Sequence, residues 1–278
     1  MMVRQKRTAF YLSDRTAITA ETLGHSLLAQ FDGITWDMIN IPFIDNVTKA
    51  QAVLKQINKA SEQDGHRALV FSTLLKPEVL DLIKRANCQV FDYFETFIPA
   101  IEAELRQPFA RMPGRSHGMK HHLSYFRRID AINFVLAHDD GVNPKHLDEA
   151  DIILIGVSRS GKTPTCLYLG LQYGIAAANY PLTPDDMETL QVPATLIPVQ
   201  DKLFGLTLTP EQLHLIRQER QPNSHYASRA QCENEIQWQE ALFHRFNIPF
   251  LDTTGISIEE ISTIILDRCA LKRKLYGL

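Results

Sequence analysis

Residues 151–163 read DIILIGVSRSGKT: an apolar run, then Gly156 and Gly161 with four residues between them, then Lys162 and Thr163. This is the G-x-x-x-x-G-K-[ST] spacing, which demands a strand before it and a helix after it. The two glycines let successive backbone N–H groups turn inward and form a concave anion nest. A helix opening at Lys162 or Thr163 adds its unpaired N–H groups and the positive end of its dipole. Lys162 supplies a point charge for outer phosphates, and the Thr163 hydroxyl can ligate Mg²⁺. Pro164 falls in the first turn, where its missing N–H costs nothing. The candidate nucleotide-binding set is therefore Gly156, Val157, Ser158, Arg159, Ser160, Gly161, Lys162 and Thr163.

Around that feature the chain is of ordinary globular composition. It has 278 residues, 45% hydrophobic and 22% charged, enough for two moderate domains with real cores. A net charge of -3 argues against a surface that coats nucleic acid. No apolar run is long enough to span a bilayer, and residues 9–12 are too short for a signal-peptide core. Cys88, Cys166, Cys232 and Cys269 are scattered, with no C-x-x-C pair. That pattern fits a reducing, cytoplasmic setting rather than a disulfide framework or zinc site.

Periodicity predicts strands alternating with helices, hence crossovers and mainly parallel sheets: an α/β protein of two βα-repeated domains. The N-terminal domain spans residues 1–106. Its strands are expected near 8–14, 34–41, 68–72 and 88–92, and its helices near 20–31, 49–63, 76–86 and 95–105. The first of these helices is read with Leu23, Leu27 and Leu28 inward. The C-terminal, P-loop kinase-like domain spans 107–278, with 107–122 as a connecting loop. Its first helix, 123–138, is read with Leu123, Phe126, Ile129, Ile132 and Leu136 buried. Further strands are expected near 152–156, 176–180, 194–199, 203–207 and 249–252. Helices are expected near 162–173, 210–220 and 226–246. A last helix starts from the capping box Ser257…Glu260, with Ile258, Ile261 and Ile265 inward.

Several residues invite chemistry. His117, His121 and His122 sit in a basic loop with no acidic or cysteine partner at ligand spacing, so a solvated loop is preferred over a metal site. Asp139 and Asp140 end a helix just before the loop's strand; one of them is a candidate proton acceptor, and a plain polar turn is the alternative. The apolar-strand aspartate that usually accompanies such a loop is not clear-cut. Asp252 is the nearest form, and Asp185–Asp186 is a second acidic pair. Arg217 and Arg220 close a helix, as phosphate clamps or as dipole complements. The segment 11–21 faintly echoes 155–165, as a degenerate phosphate loop or an ordinary βα turn.

Taken together, LSDRTAITAETLGH (12–25), AHDDG (137–141), GVSRSGKTPT (156–165), ANYP (178–181), KLFGLT (202–207) and ERQPNSHYA (219–227) resemble the phosphoenolpyruvate synthase regulatory proteins. Related pyruvate, phosphate dikinase regulators share the architecture. The resemblance covers nearly the whole chain. It implies a bifunctional enzyme, an ADP-dependent serine/threonine kinase that inactivates phosphoenolpyruvate synthase on a threonine. In the reverse direction, inorganic phosphate removes that phosphoryl group and releases pyrophosphate. It further implies Lys162 as the phosphate-neutralising residue, Asp140 as the proton-transfer carboxylate, and a homodimer. Two positions depart from the pattern. Arg15 follows Asp14 where Gly or Ser is usual. Ala137 stands where plant-type relatives carry lysine, leaving charge neutralisation to Lys162, Arg159 or Mg²⁺. The rival readings are an ATP-dependent small-molecule kinase or NTPase, and a nucleotide sensor that regulates by docking alone.

Overall fold

The computed structural model describes residues 5–110, 122–141, 145–187 and 189–273. The chain divides into two compact units, Met1–Gly118 and Met119–Leu278.

The first unit runs β1 (Gln5–Ser13), α1 (Ile18–Leu28), β2 (Ile34–Ile41), α2 (Val47–Asp64), β3 (Ala68–Thr73), α3 (Pro77–Ile83), β4 (Cys88–Asp92) and α4 (Tyr93–Leu105). Its strands form one sheet in the order β2-β1-β3-β4, with every pairing parallel. Phe10, Leu12, Val70 and Ile57 lie in the core beneath α2 and α3. On α1 the buried residues are Ala20, Gly24 and Leu28, whereas Leu23 and Leu27 are exposed. The cause is close approach. A Cβ on Gly24 would stand 2.5 Å from the Tyr11 ring and 2.9 Å from Phe71. The helix lies against the sheet through Ala20 and Gly24, so of the leucines expected inward only Leu28 is buried, and Leu23 and Leu27 face out.

The second unit runs α5 (His122–Ala137), β5 (Ile152–Gly156), α6 (Lys162–Tyr168), β6 (Ala177–Pro181), α7 (Pro184–Met187), β7 (Leu203–Thr207), α8 (Pro210–Arg220), α9 (Arg229–Arg245), β8 (Phe250–Asp252) and α10 (Ile258–Arg268). Its sheet has the order β6-β5-β7-β8, again all parallel. Two four-stranded parallel sheets alternating with helices make this an α/β protein, as the periodicity predicts. Both sheets place the unit's first strand second in order, so successive connections leave it in opposite directions. In such sheets the crevice for ligands lies at the carboxyl ends of the strands where the directions diverge. In the second unit that point is the end of β5, the 156–163 loop.

Three expectations fail here for identifiable reasons. Residues 194–199 are not a strand; a 3-10 turn covers Ile197–Lys202, because Pro193 and Pro198 remove ladder donors. Among the described side chains of α5 the buried ones are Ala131 and Val135, with His138 just beyond, while Phe126, Ile129 and Leu136 are exposed. Small residues again win, since a Cβ on Gly170 would be 3.3 Å from Val135. The side chain of Leu123, like His117 and His121, lies outside the described residues. On α10, Ile261 and Ile265 are buried and Ile258 only half-buried. The helix itself opens with both halves of the Ser257–Glu260 capping box. After α6 the chain widens into a single π turn, Leu169–Tyr173.

Candidate functional site

β5 is buried along its length because it is central, paired to β6 on one side and β7 on the other. It delivers Gly156 at φ 154°, a conformation few side chains adopt. A Cβ there would stand 2.4 Å from the Leu206 backbone oxygen. Strand β7 thus passes too close to the loop's start for any other residue. Gly156→Ala is expected to destabilise the fold by about 3 kcal/mol, in the range of overpacking a core, read as the shift in urea midpoint. An unchanged midpoint would mean that the loop and β7 part easily.

Among the candidate residues, Ser158, Arg159, Gly161, Lys162 and Thr163 line one pocket with Asp140 and Pro164, of about 270 Å³. Gly156, Val157 and Ser160 lie behind its wall and are buried. The Val157 N–H is taken by the Gln239 side chain at 2.9 Å. Lys162 is buried and donates from Nζ to the Val157 carbonyl at 2.9 Å. Burial pulls its pKa down to about 8, against the opposing pull of Asp140, Cys166 and Asp139. Thr163 stands in the first turn of α6, where backbone N–H groups have no intrahelical acceptor.

The two aspartates separate sharply. Asp139 and Asp140 occupy a tight turn after α5, with Asp140 left-handed at φ 52° and Gly141 at φ 68°. The turn is pinned by His138, whose ring nitrogens face the Phe134 and Lys145 carbonyls at 2.8 and 2.9 Å. The Asn179 backbone N–H adds a bond to the His138 carbonyl. Asp139 Oδ1 accepts from Thr163 Oγ1 at 2.9 Å and from Asn179 Nδ2 at 2.6 Å. Asp140 is exposed to the pocket and, among the described residues, receives only a longer bond, 3.2 Å, from the same Asn179 nitrogen. That nitrogen also reaches Thr163 Oγ1 at 2.9 Å. Three oxygens therefore converge on one electropositive donor. An all-oxygen set of this kind suits a hard cation such as Mg²⁺, completed by phosphate oxygens and water.

The acidic alternatives fall away. β8 is the edge strand, not a neighbour of β5, and Asp252 is exposed and caps Thr254 N–H. β7 does neighbour β5, but its end carries Thr207, bonded to Gln239 and Glu240. Asp186 caps the turn at Thr183. Arg217 is no phosphate clamp: it is 1% exposed and donates to the Ser158 carbonyl and to Glu235. Arg220 is exposed at the helix end. In the first unit, the loop after β1 has different chemistry. Asp14 is buried, which raises its carboxyl above the usual range, and Ser13 Oγ accepts from the Arg15 N–H.

Asn179 and Gln239 went unpredicted as site residues. Asn179 had one legible signal: a polar residue closing the apolar run AANY. Gln239 had none, sitting mid-helix. Among the described residues, no cluster of three or more His, Cys, Asp and Glu groups holds metal-ligand geometry, and no helix is long and apolar enough to cross a membrane.

A family model described as Kinase/pyrophosphorylase matches residues 9–266. A protein of Nitrosomonas europaea named "Putative phosphoenolpyruvate synthase regulatory protein" is 57% identical over 272 residues, covering 98% of this chain and 99% of that one. Proteins of the same name from Nitrosomonas eutropha and Stutzerimonas stutzeri are 54% and 52% identical, over 98% and 97% of this chain and 99% of each relative.

Proposed function

The chain belongs to the kinase/pyrophosphorylase family, and from that premise we propose that it regulates phosphoenolpyruvate synthase by reversible phosphorylation of a threonine. In the inactivating direction, ADP is the donor. The threonine oxygen bonds to the β-phosphorus, the bond to the α-phosphate bridging oxygen breaks, and AMP leaves. In the reactivating direction, an oxygen of inorganic phosphate attacks the phosphothreonine phosphorus and pyrophosphate leaves. The names of the relatives support the target, and the family description supports both halves of the chemistry.

The observation that carries this reading is one pocket in which Lys162 and the loop face the exposed carboxylate of Asp140, held only by the longer bond from Asn179 among the described residues. One anion cradle can hold either the β-phosphate of ADP or inorganic phosphate. One carboxylate beside it can take the threonine proton going forward and return it going back. Asp139 is already committed to Thr163 and Asn179, so the proton role falls to its neighbour. Thr163 and Asp139 are the residues that would hold Mg²⁺, which supplies charge neutralisation on the phosphates when bound. In the same reading the enzyme acts in the cytoplasm as a homodimer. No carboxylate ends β7 to organise a hydrolytic water, which favours transfer over NTP hydrolysis.

The test uses ADP radiolabelled in its β-phosphate, with phosphoenolpyruvate synthase supplied whose target threonine is unmodified. Label is expected on a partner threonine, and added inorganic phosphate is expected to release it as pyrophosphate. Regulation of the partner without any label transfer would instead establish a docking sensor. Transfer from the γ-phosphate of ATP to a small molecule would establish the other rival.

A further inference from the structure

A nest for phosphate works only if its carbonyls point away from the anion, since a peptide's C=O and N–H are antiparallel across the planar trans bond. Here the carbonyls of residues 156, 157, 158, 160 and 161 are each occupied by a donor of the protein. Gly156 O accepts from the Leu182 N–H, and Gly161 O from Thr165. Ser160 O accepts from Thr253 Oγ1 at 3.4 Å. Val157 O accepts from Lys162. The remaining anchor is built from α8 and α9. Arg217 Nη2 donates to the Ser158 carbonyl at 3.1 Å and to Glu235 Oε2 at 2.6 Å. Its other terminal nitrogen donates to the Tyr226 carbonyl at 3.1 Å, and its guanidinium stacks 4.0 Å from the Tyr226 ring centroid. The Tyr226 hydroxyl then donates to Ser158 Oγ at 3.0 Å. Glu235 is fixed in turn by Gln231 Nε2 at 2.8 Å.

An ion pair this buried is a poor source of net stability, because desolvation of both charges offsets their attraction. Its geometry points elsewhere. Both ends of the bracket close on one residue, Ser158, and the next residue, Arg159, is held left-handed at φ 77°. We propose that Arg217, with Tyr226 and Glu235, is the positioning unit of the phosphate cradle. By holding the 158 carbonyl on the buried side, it aims the Arg159 N–H and the Ser158 hydroxyl at the bound phosphate. This rests on the ADP and phosphate reading for its ligands, though not for the loop's order.

The test uses the full-length protein and two mild variants. Arg217→Lys keeps the charge opposite Glu235 but loses the planar fork that spans Ser158 and Tyr226. Tyr226→Phe keeps the stacked ring and loses only the bond to Ser158, which guards against a misfolded lysine variant. In both, amide hydrogen exchange in the peptide covering residues 156–163 is expected to speed up while exchange in β5 and β7 stays at the wild-type rate. In Arg217→Lys, KM for ADP and for inorganic phosphate is expected to rise together by about tenfold, the equivalent of one hydrogen bond to a charged group, with kcat retained. A purely structural role gives the opposite split, since partial unfolding removes active molecules and lowers kcat at constant KM. Wild-type loop exchange and wild-type KM values in both variants would overturn the proposal. Faster loop exchange in a protein whose wild type binds neither ligand would leave the bracket standing and bring down the ADP and phosphate reading instead.

Discussion

Asp140→Asn is expected to abolish transfer in both directions while ADP binds no more weakly than to the wild type. A positioned general acid–base contributes about 10²–10⁴-fold to rate, and here one group serves both reactions, so both should fall together. The substitution isolates that chemistry. Asparagine keeps the shape of the side chain and is tolerated in the left-handed conformation that Asp140 adopts at φ 52°. The turn around it is pinned from elsewhere, by His138 and the Asn179 backbone. Removing a negative charge from the pocket lessens its repulsion of phosphate and offsets the loss of the pull that Asp140 exerts on the Lys162 proton, so affinity stays close to wild type. Label transfer from β-labelled ADP and phosphate-dependent release of label measure the two directions. Turnover retained in either one would reject Asp140 as the proton-transfer group.

Lys162→Ala is expected to weaken ADP and inorganic phosphate together, by about 10- to 100-fold, the range for a hydrogen bond to a charged group. Titration calorimetry with each ligand reads it. Loss of affinity for one ligand alone would mean that the two occupy different sites. A pH dependence accompanies this. Burial lowers the Lys162 pKa to about 8, so the ammonium that meets phosphate is present below that pH and lost above it. Wild-type affinity for phosphate is expected to decline as pH rises through about 8, with the inflection missing from Lys162→Ala. The unfolded chain keeps that proton to about pH 10.4. The folded state therefore binds fewer protons between about 8 and 10.4, and the lysine's burial penalises stability most below pH 8. Bound phosphate relieves that penalty, so ligand-induced stabilisation should be larger at pH 7 than at pH 9.

Local signals were readable along most of the chain. The strands of both sheets, the capping box at Ser257 and the glycine turn at Gly141 follow from backbone rules acting over a few residues. Helix faces were less readable. On α1 and α5 the larger apolar residues, Leu23, Leu27, Phe126 and Leu136, are exposed, and the buried stripes are Ala20–Gly24–Leu28 and Ala131–Val135. Periodicity finds an apolar stripe, but close packing, of α1 on the sheet and of α5 on the Gly170 turn, selects for small side chains, and hydrophobicity alone ranks them last. Residues 194–199 misled for a similar reason, since their apolar run outweighed two prolines that forbid a ladder.

By itself, then, the sequence determined the strand, the glycine-framed loop and the helix behind it, and with them the parallel α/β architecture. Those features depend on φ/ψ preferences and on alternation between neighbours in the chain. Only the tertiary structure decided how the loop is completed. Asp139 bonds Thr163 across 24 residues, Arg217 holds Ser158 across 59, and Gln239 takes the Val157 N–H across 82. Which of two adjacent aspartates faces the pocket, and whether an arginine clamps phosphate or the peptide behind it, depends on strand order and packing. The order β6-β5-β7-β8 sets Asn179 beside the loop and Asp252 at the edge. No pattern of period two or 3.6 encodes which strands are neighbours, because that choice is made by burying two faces of one sheet at once.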